Sequence, residues 1–136
     1  MKADDLKKGL KSEEEVLVIL KRVFGNDLER TAKYDLFDYF NKSDNSFIEL
    51  KTRNIKHNTY SDVMCGLNKL NYAKNNDTFK FYFCFRFIDG LYIHKFNKEK
   101  KYDVRDGGRT DRGCDESKLT FFINQKDLIP FDDFIL

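Results

Sequence analysis

Residues 79–96 read FKFYFCFRFIDGLYIHKF. Phe79, Phe81, Phe83, Phe85 and Phe87 alternate with Lys80, Tyr82, Cys84, Arg86 and Ile88. A two-residue period puts every phenylalanine on one side of an extended strand, whereas a helix would scatter them around its axis. Asp89-Gly90 suits a type I′ turn, so residues 91–96 return as the antiparallel partner. The phenylalanine row is a core face; base-stacking aromatics would be a strained reading of it. The chain must therefore build a layered domain around a strand pair.

A second hairpin is carried by KYDLFDYFNKSDNSFIELKTR, residues 33–53. Strands over residues 34–40 and 46–52 flank a polar turn of Asn41, Lys42, Ser43, Asp44 and Asn45. Phe47, Ile48 and Leu50 suit a buried strand, yet Glu49 and Lys51 sit among them and project to one face. A turn centred on Ser43 and Asp44 brings Asp38 opposite Glu49, where cross-strand side chains meet most closely. A turn centred half a step earlier sets Asp35 opposite Lys51 instead. Asp38 is the preferred partner, with Asp35 the alternative. Two adjacent carboxylates repel unless a cation lies between them. Mg²⁺ or Mn²⁺ is the natural guest, because a hard ion takes one or two protein carboxylates and fills its shell with water and phosphate. A neighbouring lysine can orient or deprotonate the attacking water, or steady charge growing on phosphate. These parts suit phosphodiester hydrolysis. The plainer reading is a surface hairpin with an ordinary Glu/Lys pair.

Around this hairpin the helical signals are amphipathic. Ser12 is a candidate N-cap, with Glu13, Glu14 and Glu15 in the first turn and residues 1–11 as a frayed or short helical arm. Val16, Leu17, Leu20, Val23 and Phe24 recur at helical spacing before Gly25. Glu13 falls on their stripe and Glu14 and Glu15 turn towards solvent, although all three also suit capping. Residues 26–32 read as a polar connection. After Lys51 comes a loop with Arg53, Lys56, His57 and Tyr60, basic and aromatic groups suited to phosphate and sugar contacts. A second helix is expected from Ser61 or Asp62 to about Lys74. Its stripe is Val63, Met64, Leu67, Leu70 and Ala73, with Asn68 and Lys69 beside it.

The combination of Asp38, ten intervening residues, then Glu49-Leu50-Lys51, after a helix bearing an early glutamate, resembles the PD-(D/E)XK nuclease superfamily. The resemblance covers roughly residues 12–73. Phe37 stands where the proline of the motif's name would be. The resemblance implies an α/β fold, a central mixed β-sheet flanked by α-helices, with a restriction-endonuclease-like core. It also implies Mg²⁺- or Mn²⁺-dependent DNA cleavage that leaves a 5′-phosphate. Asp38 and Glu49 would hold the metal, Glu13 (or Glu14) would support them, and Lys51 would serve the attacking water. Asn68 and Lys69 would reach the site from the second helix, Lys69 as a phosphate contact. A small structure-selective nuclease acting on junctions, flaps or repair intermediates fits, and junction resolvases of this size usually work as homodimers. The alternative is a nucleic-acid-binding or assembly module that keeps the fold without turnover.

Composition limits the remaining choices. The 136 residues suit one domain with a real core, residues 1–136. A formal net charge of +2 with 35% charged residues means that any DNA surface must come from local clustering. One such cluster is GGRTDRG, where Arg109 and Arg112 lie between glycines, although Asp103, Asp106, Asp111, Asp115 and Glu116 interleave. Residues 97–118 are read as a loop, residues 119–123 as a last strand. Leu128, Ile129, Phe131, Phe134 and Ile135 anchor the C-terminal segment. No stretch approaches a membrane span, and the charged start is unlike a signal peptide. Cys65, Cys84 and Cys114 lack metal-ligand spacing and read as reduced thiols. A cytoplasmic protein is expected; the Lys-, Asn- and Phe-rich usage suits an AT-rich, viral genome, hence a host-cell location.

Overall fold

A computed structural model describes residues 3–32, 35–106 and 119–134, with side chains from Glu14 onwards. The first helix, α1, spans Ala3–Phe24, so it starts well before the expected cap at Ser12. The Ala, Leu, Lys and Glu of residues 3–15 are helix formers, and the one glycine among them is tolerated at about 1 kcal/mol. Gly25 closes the helix in the left-handed region (φ 95°), its N–H donating to Lys21 O at 2.9 Å. The expected polar connection contains a short strand, β1 (Leu28–Arg30).

The hairpin forms with a shorter first arm than expected. β2 spans Tyr39–Asn41 and β3 spans Ser46–Thr52. Tyr39 pairs with Ile48, Phe40 with Phe47 and Asn41 with Ser46, which centres the turn between Ser43 and Asp44. Buried Asn41 ties this hairpin to α1, donating from Nδ2 to Phe24 O at 2.8 Å and accepting from Ser43 Oγ at 2.9 Å.

Residues 62–66 correct the expected second helix. They form a strand, β4 (Asp62–Gly66), and the helix α2 covers only Leu67–Asn75. Val63, Met64, Leu67 and Leu70 satisfy a helical period, but Val63 and Cys65 also satisfy a strand period. Pairing decides between them, since Val63 sits opposite Ile123 and Cys65 opposite Phe121 on a strand the local pattern cannot see.

The phenylalanine hairpin is β5 (Lys80–Phe87) and β6 (Gly90–Lys95). Phe87 pairs with Gly90, so the turn residues are Ile88 and Asp89, one position earlier than the expected Asp89-Gly90. The expected 97–118 loop contains a further strand, β7 (Asp103–Asp106). Gly107, Gly108, Arg109, Arg112 and Gly113 lie outside the described residues. The last long strand is β8 (Leu119–Asn124), and β9 (Ile129–Pro130) adds to β6 at the sheet edge.

Six strands form a mixed sheet in the order β1-β2-β3-β5-β6-β9, parallel between β3 and β5 and antiparallel elsewhere. With α1 and α2 it is the α/β fold of a restriction-endonuclease-like core. β4, β8 and β7 make a second, three-stranded sheet that the sequence reading did not anticipate. Val16, Leu20 and Phe24 of α1 pack on one face of the large sheet, against Tyr39, Ile48, Tyr82, Cys84 and Ile93. The small sheet and α2 cover the other, where Phe81, Phe83, Phe85 and Phe87 meet Leu70, Ala73, Val63, Phe121 and Ile123. Both faces of β5 are thus buried, and Tyr82 and Cys84 are as enclosed as the phenylalanines. Each such phenylalanine contributes about 1.5–3 kcal/mol by leaving water.

Candidate active site

The parallel β3–β5 pairing fixes where the polar residues of β3 can go. Glu49 is paired with Phe83 and Lys51 with Phe85, in the middle of the large sheet. By strand alternation both carry their side chains to the face covered by α2 and the small sheet. Glu49 is therefore only 3% exposed, a carboxylate in an aromatic layer.

Asp38 extends β2 by one residue. Its N–H donates to Ile48 O at 3.1 Å, and its carbonyl accepts from Thr31 N–H at 2.9 Å. This holds it in the register opposite Glu49. Its Oδ2 accepts from Leu50 N–H at 2.8 Å, and its carboxyl is hydrogen-bonded to that of Glu49. Asp35 is placed differently: its Oδ2 accepts from Ala32 N–H at 2.9 Å on the exposed side of a local bend. Of the two aspartates left open by the sequence, Asp38 is the one beside Glu49.

Lys69, on the first turn of α2, completes the cluster. Its Nζ forms an ion pair with Glu49 Oε2, and both side chains are largely out of water, at 15% and 4% exposure. Burial, followed by the hydrogen bond and the negative charge of Asp38, pushes the Glu49 carboxyl up to about 8; Lys69 offsets part of this. Cys65 of β4 lies beneath the group. Burial raises its thiol to about 12, an effect eased by Lys51, strengthened by Glu49, and eased again by Lys69 and Arg53. Four charged side chains thus act electrostatically on one buried sulfur. Cys84 lies under the same carboxylates from the α1 side, its thiol raised by burial and then by Asp38 and Glu49.

The other expected contact residues have separate placements. Arg53 follows β3 directly; its backbone N–H donates to Arg86 O at 2.8 Å and its guanidinium reaches Met64 O at 3.4 Å. Tyr60 is 65% exposed in the loop between β3 and β4. That loop is pinned across the β5–β6 turn by His57 N–H on Asp89 Oδ1 at 2.8 Å, and the His57 ring stacks on Tyr92 at 3.8 Å. Asn68 is exposed, its Oδ1 accepting from Lys69 N–H at 3.0 Å. Glu13 lies on α1 with its side chain outside the described residues, as do Arg109 and Arg112 altogether. The sequence singled out Lys69 but not its pairing with Glu49, and it missed Cys65 as the floor. Both depend on β4 and α2 folding back over β3, for which no spacing rule exists.

Among the described residues no group of three or more His, Cys, Asp or Glu side chains converges as a ready-made metal cage. A hard divalent ion does not need one. Two adjacent carboxylates, with Glu49 raised in pKa first by burial and then by Asp38 and only partly balanced by Lys69, form a donor pair whose shell water and substrate phosphate can complete. The residues present fit such a cation.

No helix among the described residues is long and apolar enough to cross a membrane. No curated protein and no solved structure matches the chain. A family model described as "Phage putative PDDEXK endonuclease" matches residues 3–132, a span that takes in α1, α2, the strands β1 to β9 of the described residues, and Asp38, Glu49 and Lys51. The chain belongs to this phage PD-(D/E)XK endonuclease family.

Proposed function

We propose that this chain is a Mg²⁺- or Mn²⁺-dependent deoxyribonuclease that hydrolyses DNA phosphodiester bonds, with a preference for structured substrates such as junctions, flaps or repair intermediates. The observation that carries this reading is the contact between the Asp38 and Glu49 carboxyls on a face shared with Lys51. A divalent cation held there supplies Lewis-acid polarisation of the phosphate and a more acidic water. Asp38 and Glu49 fix the donor geometry, because one is clamped by backbone hydrogen bonds and the other is locked in the sheet. Lys51 orients the attacking water and balances charge growing on the phosphate oxygens. In-line attack expels the 3′-oxygen and leaves a 5′-phosphate. Glu13 supports the carboxylate pair from α1.

Arg53, Tyr60, Asn68 and Lys69 are assigned to the DNA backbone, together with Arg109 and Arg112. Residues 1–136 form one catalytic domain, acting in the cytoplasm of the infected cell and working as a homodimer on two-fold substrates. The test is cleavage of labelled single strands, duplex, flaps and a four-way junction with Mg²⁺, Mn²⁺ or EDTA, by wild type and Lys51→Ala. Metal-dependent cutting that is lost in Lys51→Ala supports the nuclease; binding with no cutting under any condition replaces it with a silent DNA-binding module.

A further inference from the structure

Glu49 Oε2 is occupied in this structure by the ammonium of Lys69. Asp38 lies beside the same carboxyl, and Lys51, on the same strand face, makes no ion pair with Glu49. The two lysines therefore differ in kind: one sits along the strand from the carboxylate pair, the other on it. A lysine ammonium is a compact point charge on a flexible four-carbon stem, able to swing without moving its helix. It competes with a divalent ion for one carboxylate oxygen, because the two cations repel in a poorly hydrated site.

We propose that Lys69 is an exchangeable counter-cation: it balances Glu49 while no metal is bound and is released to the substrate phosphate when a divalent cation takes that oxygen. This rests on the metal-nuclease reading above and adds a coupling to it. Without that ammonium, an empty carboxylate pair would hold either repelling negative charge or a trapped proton against an aromatic core. Lys69 removes that cost in the resting protein but lowers its metal affinity. Once displaced, the ammonium stands beside the metal where a phosphate oxygen must arrive. Metal and DNA then reinforce each other, since phosphate gives the displaced lysine a new partner. The first turn of α2 has no acidic residue that would recapture it.

The test is Mn²⁺ binding to the full chain without DNA, by calorimetry and thermal shift, for wild type, Lys69→Met and Lys51→Met. Lys69→Met should bind Mn²⁺ about tenfold more tightly than wild type, or 1.4 kcal/mol, and show a larger metal-induced rise in Tm. Lys51→Met, which removes a charge that is not paired with Glu49, should gain clearly less than Lys69→Met. At saturating Mn²⁺, Lys69→Met should nevertheless cleave DNA more slowly, so affinity and turnover move in opposite directions. If Lys69→Met does not fold without metal, Lys69→Gln carries the same expectation, because it keeps a donor and loses the charge. Lys69→Arg, which keeps the charge, should bind Mn²⁺ no more tightly than wild type. Equal or weaker Mn²⁺ binding by the uncharged variants overturns the exchange alone. If wild type and all variants fail to bind Mn²⁺, the metal-nuclease reading falls with it.

Discussion

Two buried ionisable side chains lie on one row of the large sheet, on either side of Phe83: Glu49 on β3 and His94 on β6. Their surroundings differ. His94 Nδ1 donates to Asp127 O at 3.0 Å, and Nε2 accepts at 2.7 Å from the Tyr102 hydroxyl, which in turn accepts from Asn97 N–H at 3.0 Å. Every polar atom in that chain has a complementary partner, and the imidazole is neutral. Glu49 instead faces a second carboxylate and a lysine whose charge it must share. The His94 network fixes the C-terminal segment against β6; the Glu49 cluster keeps unresolved charge where a ligand can resolve it. A completed network points to architecture, and a frustrated one points to chemistry.

The comparison breaks most visibly in opposite responses to mutation. Glu49→Gln should reduce cleavage of the DNA panel by at least about 10²-fold while leaving stability towards urea, measured in EDTA, unchanged or raised, as expected for a site that trades stability for activity. His94→Ala should do the reverse in kind, lowering stability by about 2–4 kcal/mol through a cavity and two stranded polar groups. A large loss of stability in Glu49→Gln would mean that the carboxylate is structural after all.

Tyr102→Phe sharpens the contrast. It removes only the hydroxyl and leaves His94 Nε2 and Asn97 N–H unpaired, so about 1–2 kcal/mol should be lost in the same unfolding assay. Acidity gives a third measure. Burial holds the His94 imidazole below 6.5, with the Asp127 carbonyl and carboxylate pulling the other way and Lys100 adding to the depression. The unfolded chain therefore takes up this proton first as pH falls. The His94 contribution should be whole above about pH 6.5 and be lost from there down towards the folded pKa, at no more than about 1.4 kcal/mol per pH unit. His94→Gln should flatten that part of the profile. The smallest effect is expected at Asp35: Asp35→Asn should leave cleavage within about a factor of two, whereas Asp38→Asn should behave like Glu49→Gln.

Much of this was legible locally. The Phe79–Phe87 alternation and the Asp-Gly signal defined β5 and β6 because strand period and turn chemistry are short-range, although the turn falls one residue earlier, at Ile88-Asp89. The turn centred on Ser43 and Asp44 likewise set Asp38 opposite Glu49, a register carried by a handful of adjacent residues. The stretch 61–66 was misread because its apolar spacing satisfies two periods at once; only β8, nearly sixty residues on, makes it a strand. β7 was hidden for a related reason. Its residues Asp103, Val104, Arg105 and Asp106 are all exposed, so no buried face marks it, and Arg105 is held instead by Asp62 at 2.6 Å and by the Phe122 ring.

By itself, then, the sequence determined an α/β chain with two hairpins and a carboxylate pair beside a lysine, because neighbouring residues on a strand have few ways to be arranged. Tertiary structure alone decided that β4 and α2 close over that face, burying Glu49, laying Cys65 beneath it and delivering Lys69 to its oxygen. Such contacts join residues twenty apart through packing of whole elements, and no local preference encodes which faces will meet.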